Sequence, residues 1–100
     1  MMNIRHRNTL EGLLERAGYP TDHAIIWADM LLRQVQPSVA DSTLVCTLIR
    51  RASVDTVRDA LAEMAPHIYA LCLARMVVFG MTEDEIKRLM PQEISHVHAG

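Results

Sequence analysis

Between Ile68 and Phe79 every residue is apolar except Arg75, and Gly80 closes the run. These twelve residues are too few to cross a bilayer, which takes about 20 apolar residues. They are enough for a helix that is apolar almost all the way round, and such a helix has to be buried. In a chain of 100 residues this makes the stretch near 67–79 the expected central post. Leu71, with no polar face around it, is expected to be buried. The fold predicted is all-α, a compact bundle of five to six short helices around that buried apolar helix.

Helix punctuation supports the reading along the rest of the chain. Asn8 and Glu11 have the spacing of an N-cap with a capping box. Leu10, Leu13, Leu14 and Ala17 follow at the period of one helical face. Gly18 ends the helix by permitting a left-handed residue, and Tyr19-Pro20 prevents resumption. Thr21 is the expected cap of the second helix, with Asp22 in its first turn and a polar stripe of Asp22, Asp29, Arg33 and Gln36. The remainder, from Ala24 to Val35, is largely apolar and includes Trp27 and Met30; Pro37 ends it.

A third element opens at Ser38 or Asp41 and reaches about Ala52. Its β-branched Thr43, Val45, Thr47 and Ile49 allow a strand. The pairs Leu44/Leu48 and Val45/Ile49 at i,i+4, with no partner strand elsewhere, favour a helix. Ser53 caps a fourth helix, with Val54, Val57, Leu61 and Met64 inward and Asp55, Arg58, Asp59 and Glu63 outward. Pro66 either kinks that helix or occupies the first turn of the apolar fifth. Thr82 and Glu85 form a second capping box, opening a helix that places Ile86, Leu89 and Met90 on one face and stops at Pro91. One domain over 1–100 is expected, with loose termini at about 1–7 and 92–100.

Ten basic and twelve acidic residues give a net charge of −2, which argues against direct nucleic-acid binding through phosphates. It equally opposes mimicry of a nucleic acid, which needs a far more acidic surface. All the basic residues are Arg except Lys87, and the planar, weakly hydrated guanidinium is the better interface group. Cys46 and Cys72 sit in apolar stretches, as expected of two buried thiols in a reducing compartment. The opening MMNIRHRNT has charge but no apolar core of a signal peptide. A cytoplasmic protein that does not enter a membrane is expected.

The residues offer little for catalysis. His96 and His98 form an H-x-H pair without the third and fourth ligands that a metal site needs. His6, His23 and His67 fall near helix starts, where surface positions are expected. Neither cysteine has a neighbouring base to activate it. The carboxylate pairs Asp55/Asp59 and Glu11/Glu15 lie on solvated helix faces, and no glycine-rich phosphate loop is present. We expect no enzyme, no cofactor and no metal.

The segment ARMVVFGMTEDEIKRLMP resembles the first part of the helix-turn-helix of phage terminase small subunits and sigma-like regulators. That resemblance implies a small DNA-binding transcriptional regulator of a mobile element, using a truncated segment at 80–90. A recognition helix has to follow Met90, and Pro91 with nine further residues does not supply one. Over its whole length the Arg- and Ala-rich helical chain is similar in profile to the small helical anti-CRISPR inhibitors of phages and mobile elements. That resemblance implies steric blocking of protein subunits of a bacterial ribonucleoprotein surveillance complex, inside the bacterial host cell. Target DNA binding or nuclease recruitment would then be prevented.

The second and fifth helices are apolar over more than one face. The surplus points to a partner surface or a homodimer. Partner contacts are expected at arginines, which interface hot spots favour. The candidates are Arg5 and Arg7 before the first helix, Arg33 on the second, and Arg50 and Arg51 at the end of the third.

Overall fold

The computed structural model describes residues 4–35 and 47–91. They form six helices and no strand: α1 (Ile4–Arg16), α2 (Thr21–Gln34), α3 (47–51), α4 (Val54–Ala62), α5 (Pro66–Val78) and α6 (Glu83–Leu89). Gln36, Pro37, the opening of the third element, Cys46 and the tail with His96 and His98 lie outside the described residues.

α1 and α2 form an antiparallel helical hairpin, the most extensive helix pairing among the described residues. α1 starts at Ile4, so Asn8 is an interior residue and not the cap, and residues 4–7 are helical where a loose segment was expected. No breaker precedes Asn8, and Glu11 is engaged one turn back by Arg7 (Nε to Oε1, 3.3 Å) instead of closing a capping box. The C-terminal stop is as expected. Gly18 has φ 106°, its N–H donates to the Glu15 carbonyl, and the Tyr19 N–H donates to that of Leu14, both at 3.0 Å. This is the Schellman pair of bonds.

Pro20, not Thr21, is the N-cap of α2. It is extended at φ −57°, ψ 149°, and its carbonyl accepts the Ala24 N–H at 2.8 Å. The ring presets φ, so the chain turns into the helix one residue earlier than the Thr21 hydroxyl suggests. α2 buries Ala24, Ala28 and Leu31 with no exposed area. The two alanines let it lie close against its neighbours.

α5 is the post. Pro66 is in its first turn and does not kink α4. Ala70, Leu73, Ala74, Met76 and Val77 are buried, and the helix packs on α1, α2 and α6. It is not buried all round, however. Ile68 is 47 % exposed, and Leu71 and Cys72 are half-buried. α4 packs chiefly on α6, so among the described residues one flank of α5 has less cover than an apolar helix invites. Gly80 (φ 95°) ends the helix with a second Schellman turn, in which the Met81 N–H reaches the Met76 carbonyl at 3.0 Å.

The caps of α4 and α6 are those expected. Ser53 Oγ accepts the Thr56 N–H at 3.1 Å. Thr82 and Glu85 exchange side-chain and backbone bonds at 3.1 and 3.0 Å. Leu61, Ile86, Leu89 and Met90 are buried. Two faces of α4 differ from expectation. Val54 is exposed, and Arg58 turns partly inward, one terminal nitrogen donating to the Arg88 carbonyl at 2.6 Å. That bond satisfies a carbonyl which the end of α6 leaves open, so the cation is drawn across to a neighbouring helix terminus. Leu10, Leu13 and Leu14 of α1, wholly buried, complete a single core cluster.

Candidate protein-binding surface

The five candidate arginines divide into two groups. Arg5 and Arg7 open α1 and Arg33 nears the end of α2, so the hairpin brings all three to its open end. Arg7 is held by Glu11, and Arg33 Nε lies 3.1 Å from Asp29 Oδ2. Ile4, 73 % exposed, stands beside them in sequence. Arg50 and Arg51 lie on α3, where Arg50 Nε is 3.5 Å from Glu85 Oε2 and so ties α3 to the start of α6. Arg51 is exposed. Each ion pair is largely open to solvent and adds little stability, so holding these cations in place is their main effect.

What the arginine reading missed is a groove. On this flank of α5, the helices α3, α4 and α5 enclose an open cavity of about 330 Å³. Leu48, Ile49, Val57, Met64, Cys72 and Met76 line it, and Arg75 stands at its edge. Leu48 at the mouth is 59 % exposed. Arg50 and Arg51 sit on the same short helix as Leu48 and Ile49 but do not line the groove; Arg50 faces α6 instead, beside Glu85. The signal available in the sequence was Arg75, the only polar residue in the fifth helix's apolar run. An apolar helix with one guanidinium has one flank near water.

The groove is apolar and adaptable, not reactive. The Cys72 thiol lies 3.6 Å from the Met64 sulfur. Desolvation pushes its pKa up from the ordinary thiol value, and nearby Arg75 only partly opposes the shift. Such a thiol is a poor nucleophile at neutral pH. Methionine and cysteine sulfurs are polarisable and repack readily around an inserted side chain. Among the described residues no three His, Cys, Asp or Glu side chains gather where they could hold a metal, and no helix is long and apolar enough to cross a membrane.

The segment at 80–90 has the turn and helix of the resemblance, but its charges are turned the wrong way for DNA. The first turn of α6 is Glu83, Asp84 and Glu85. Lys87 is engaged by Glu83 at 3.0 Å. A helix start that carries three carboxylates repels phosphate despite the favourable dipole.

Fold and surface together define a small all-α protein with an open apolar groove that has one arginine, Arg75, at its edge. No protein-family model, curated protein or solved structure matches the chain.

Proposed function

We propose that this chain is a non-enzymatic protein-binding inhibitor that sterically blocks a bacterial CRISPR surveillance complex, preventing target DNA binding or nuclease recruitment. The observation that carries the binding part of this reading is the apolar α3–α4–α5 groove with Arg75 at its edge. Interface hot spots pair a desolvated apolar pocket with aromatic or aliphatic anchors and neighbouring guanidinium groups. A cavity of about 330 Å³ has room for one or two large side chains of a partner subunit. The identity of the partner rests on the chain's overall profile, which is similar to that of helical anti-CRISPR inhibitors.

The test uses a purified type I surveillance complex and measures target DNA binding with and without the protein. Ala60, exposed on the groove wall, is replaced by Trp to fill the groove. Ala60→Trp and Arg75→Glu should each weaken inhibition by about tenfold or more while the thermal midpoint stays near wild type. Full inhibition by both variants removes the groove from the reading. Absence of inhibition by the wild-type chain removes the CRISPR complex. Tight binding of the chain alone to duplex DNA, falling steeply with salt, would instead favour the regulator.

A further inference from the structure

Among the described residues, the face that α5 turns away from the core is an apolar seam built around one cation. Leu73, Ala74 and Val77 point inward and are buried. At 3.6 residues per turn, the opposite side is centred on Arg75, with Ile68, Leu71, Cys72, Val78 and Phe79 around it. Ile68 is exposed and the other four are partly buried. Counted from Ile68, the six stand at i, i+3, i+4, i+7, i+10 and i+11, the repeat along which one helix packs on another. The seam is about 16 Å long, three turns. Its Cys72 and Arg75 also line the α3–α4–α5 groove, so seam and groove are one continuous surface.

Arg75 restricts what can lie there. Its guanidinium is exposed, and among the described residues no carboxylate pairs with it. A wholly apolar helix laid on the seam would take the cation out of water without a partner, a cost that works against the apolar gain. A helix with a carboxylate facing Arg75 forms a charge-assisted pair there, while its apolar residues cover the seam on either side. A second copy of this chain fits poorly. Two α5 seams crossing end for end at their midpoints set the two Arg75 residues within about 5 Å of each other along the axis, and like charges oppose that contact.

We propose that this face of α5 receives an amphipathic helix of a partner protein, with aliphatic residues along the seam and an Asp or Glu opposite Arg75. This occupant rests on the protein-binding reading of the groove and adds the chemistry of the segment that enters it. It does not depend on which complex the partner belongs to.

The probe is a fluorescein-labelled synthetic helix of about 18 residues, with leucine at the heptad a and d positions, alanine and glutamine elsewhere, and one central leucine replaced by glutamate. Its binding to the full chain at low salt, followed by fluorescence anisotropy, is compared with that of peptides carrying glutamine or lysine at that one position. Wild type should bind the glutamate peptide at least about tenfold more tightly than the lysine peptide. Arg75→Glu should invert that order, and Arg75→Gln should bring the glutamate and glutamine peptides close together. Ile68→Ser, which leaves the charge in place, should weaken all three peptides alike with helix content unchanged. The same peptide order on wild type and on Arg75→Glu would overturn the proposal. So would no binding of any peptide up to about 1 mM, or a wild-type dimer that the peptides fail to dissociate. An inverted order together with no inhibition of a surveillance complex keeps the acidic helix and removes the CRISPR partner. Inhibition lost on Ala60→Trp, with no charge preference among the peptides, keeps the groove and removes the acidic helix.

Discussion

α5 has two unlike flanks. Toward α1 and α2 it meets Leu10, Leu13, Leu14, Ala24, Ala28 and Leu31, none of which retains any exposed area. Toward α3 and α4 it meets Val57, Met64 and Ile49, all only partly buried, across a cavity of about 330 Å³. The side chains on both flanks are apolar, so hydrophobicity does not distinguish them. Connectivity and size do. The α1–α2 hairpin closes through a tight Schellman turn, and its alanines allow close approach. α4 contributes one fully inward residue, Leu61, and is drawn toward α6 by Arg58 and the Arg88 carbonyl. Among the described residues, a helix that belongs in the core thus keeps one flank half open, and this is the flank to which the proposed partner is assigned.

The largest expected effect separates the flanks by truncation. Leu13→Ala, on the closed side, should cost about 2–5 kcal/mol in urea unfolding through lost transfer energy and a residual cavity. Ile49→Ala, half-buried on the groove side, should cost about 1–2 kcal/mol, in keeping with the smaller apolar area it removes from contact. Equal costs would break the comparison.

Enlarging side chains gives the reverse test. Ala28→Leu forces extra volume into a filled interface and should destabilise by about 1–3 kcal/mol. Cys72→Leu adds volume beside an open groove and should be neutral or stabilise by up to about 1 kcal/mol. Thermal midpoints that fall together for the two variants would mean that the groove has no spare room.

The smallest effect is local to α6 and sharpens the comparison by testing what anchors the open side. Glu85 is held below the ordinary glutamate value of 4.5, first by the Thr82 backbone N–H and then by the Thr82 hydroxyl and Arg50. Because its folded pKa is depressed, the stability it adds is complete above the unfolded value. That stability is lost as pH falls through the folded value. The gap in thermal midpoint between wild type and Glu85→Gln should therefore be present at neutral pH and close in the acid range below 4.5. A gap that stays constant with pH would remove the carboxylate from both the cap and the α3–α6 tie.

Much of this was legible because it is local. Ser53 with Thr56, Thr82 with Glu85, and the stops at Gly18 and Gly80 involve residues three to five apart. Their bonds form whenever the chain turns helical. The same reasoning misplaced the start of α1, since Asn8–Glu11 spacing is also compatible with an unbroken helix in which Arg7 takes the glutamate. It also misassigned Arg58. No spacing within α4 reveals that a carbonyl at Arg88, thirty residues on, is waiting for a donor.

The sequence by itself determined the helices, their caps and the apolar character of α5. Periodicity and capping act over one or two turns and need no knowledge of neighbours. Only the tertiary structure decided which flank of α5 stays open among the described residues, that Arg75 and not Arg50 or Arg51 stands at its edge, and that Ile26 and Met30 face outward. Each depends on where a distant helix comes to rest. An apolar stripe says that a face seeks cover, whereas the length, bulk and tethering of the other elements settle whether this chain supplies it or leaves it for a partner.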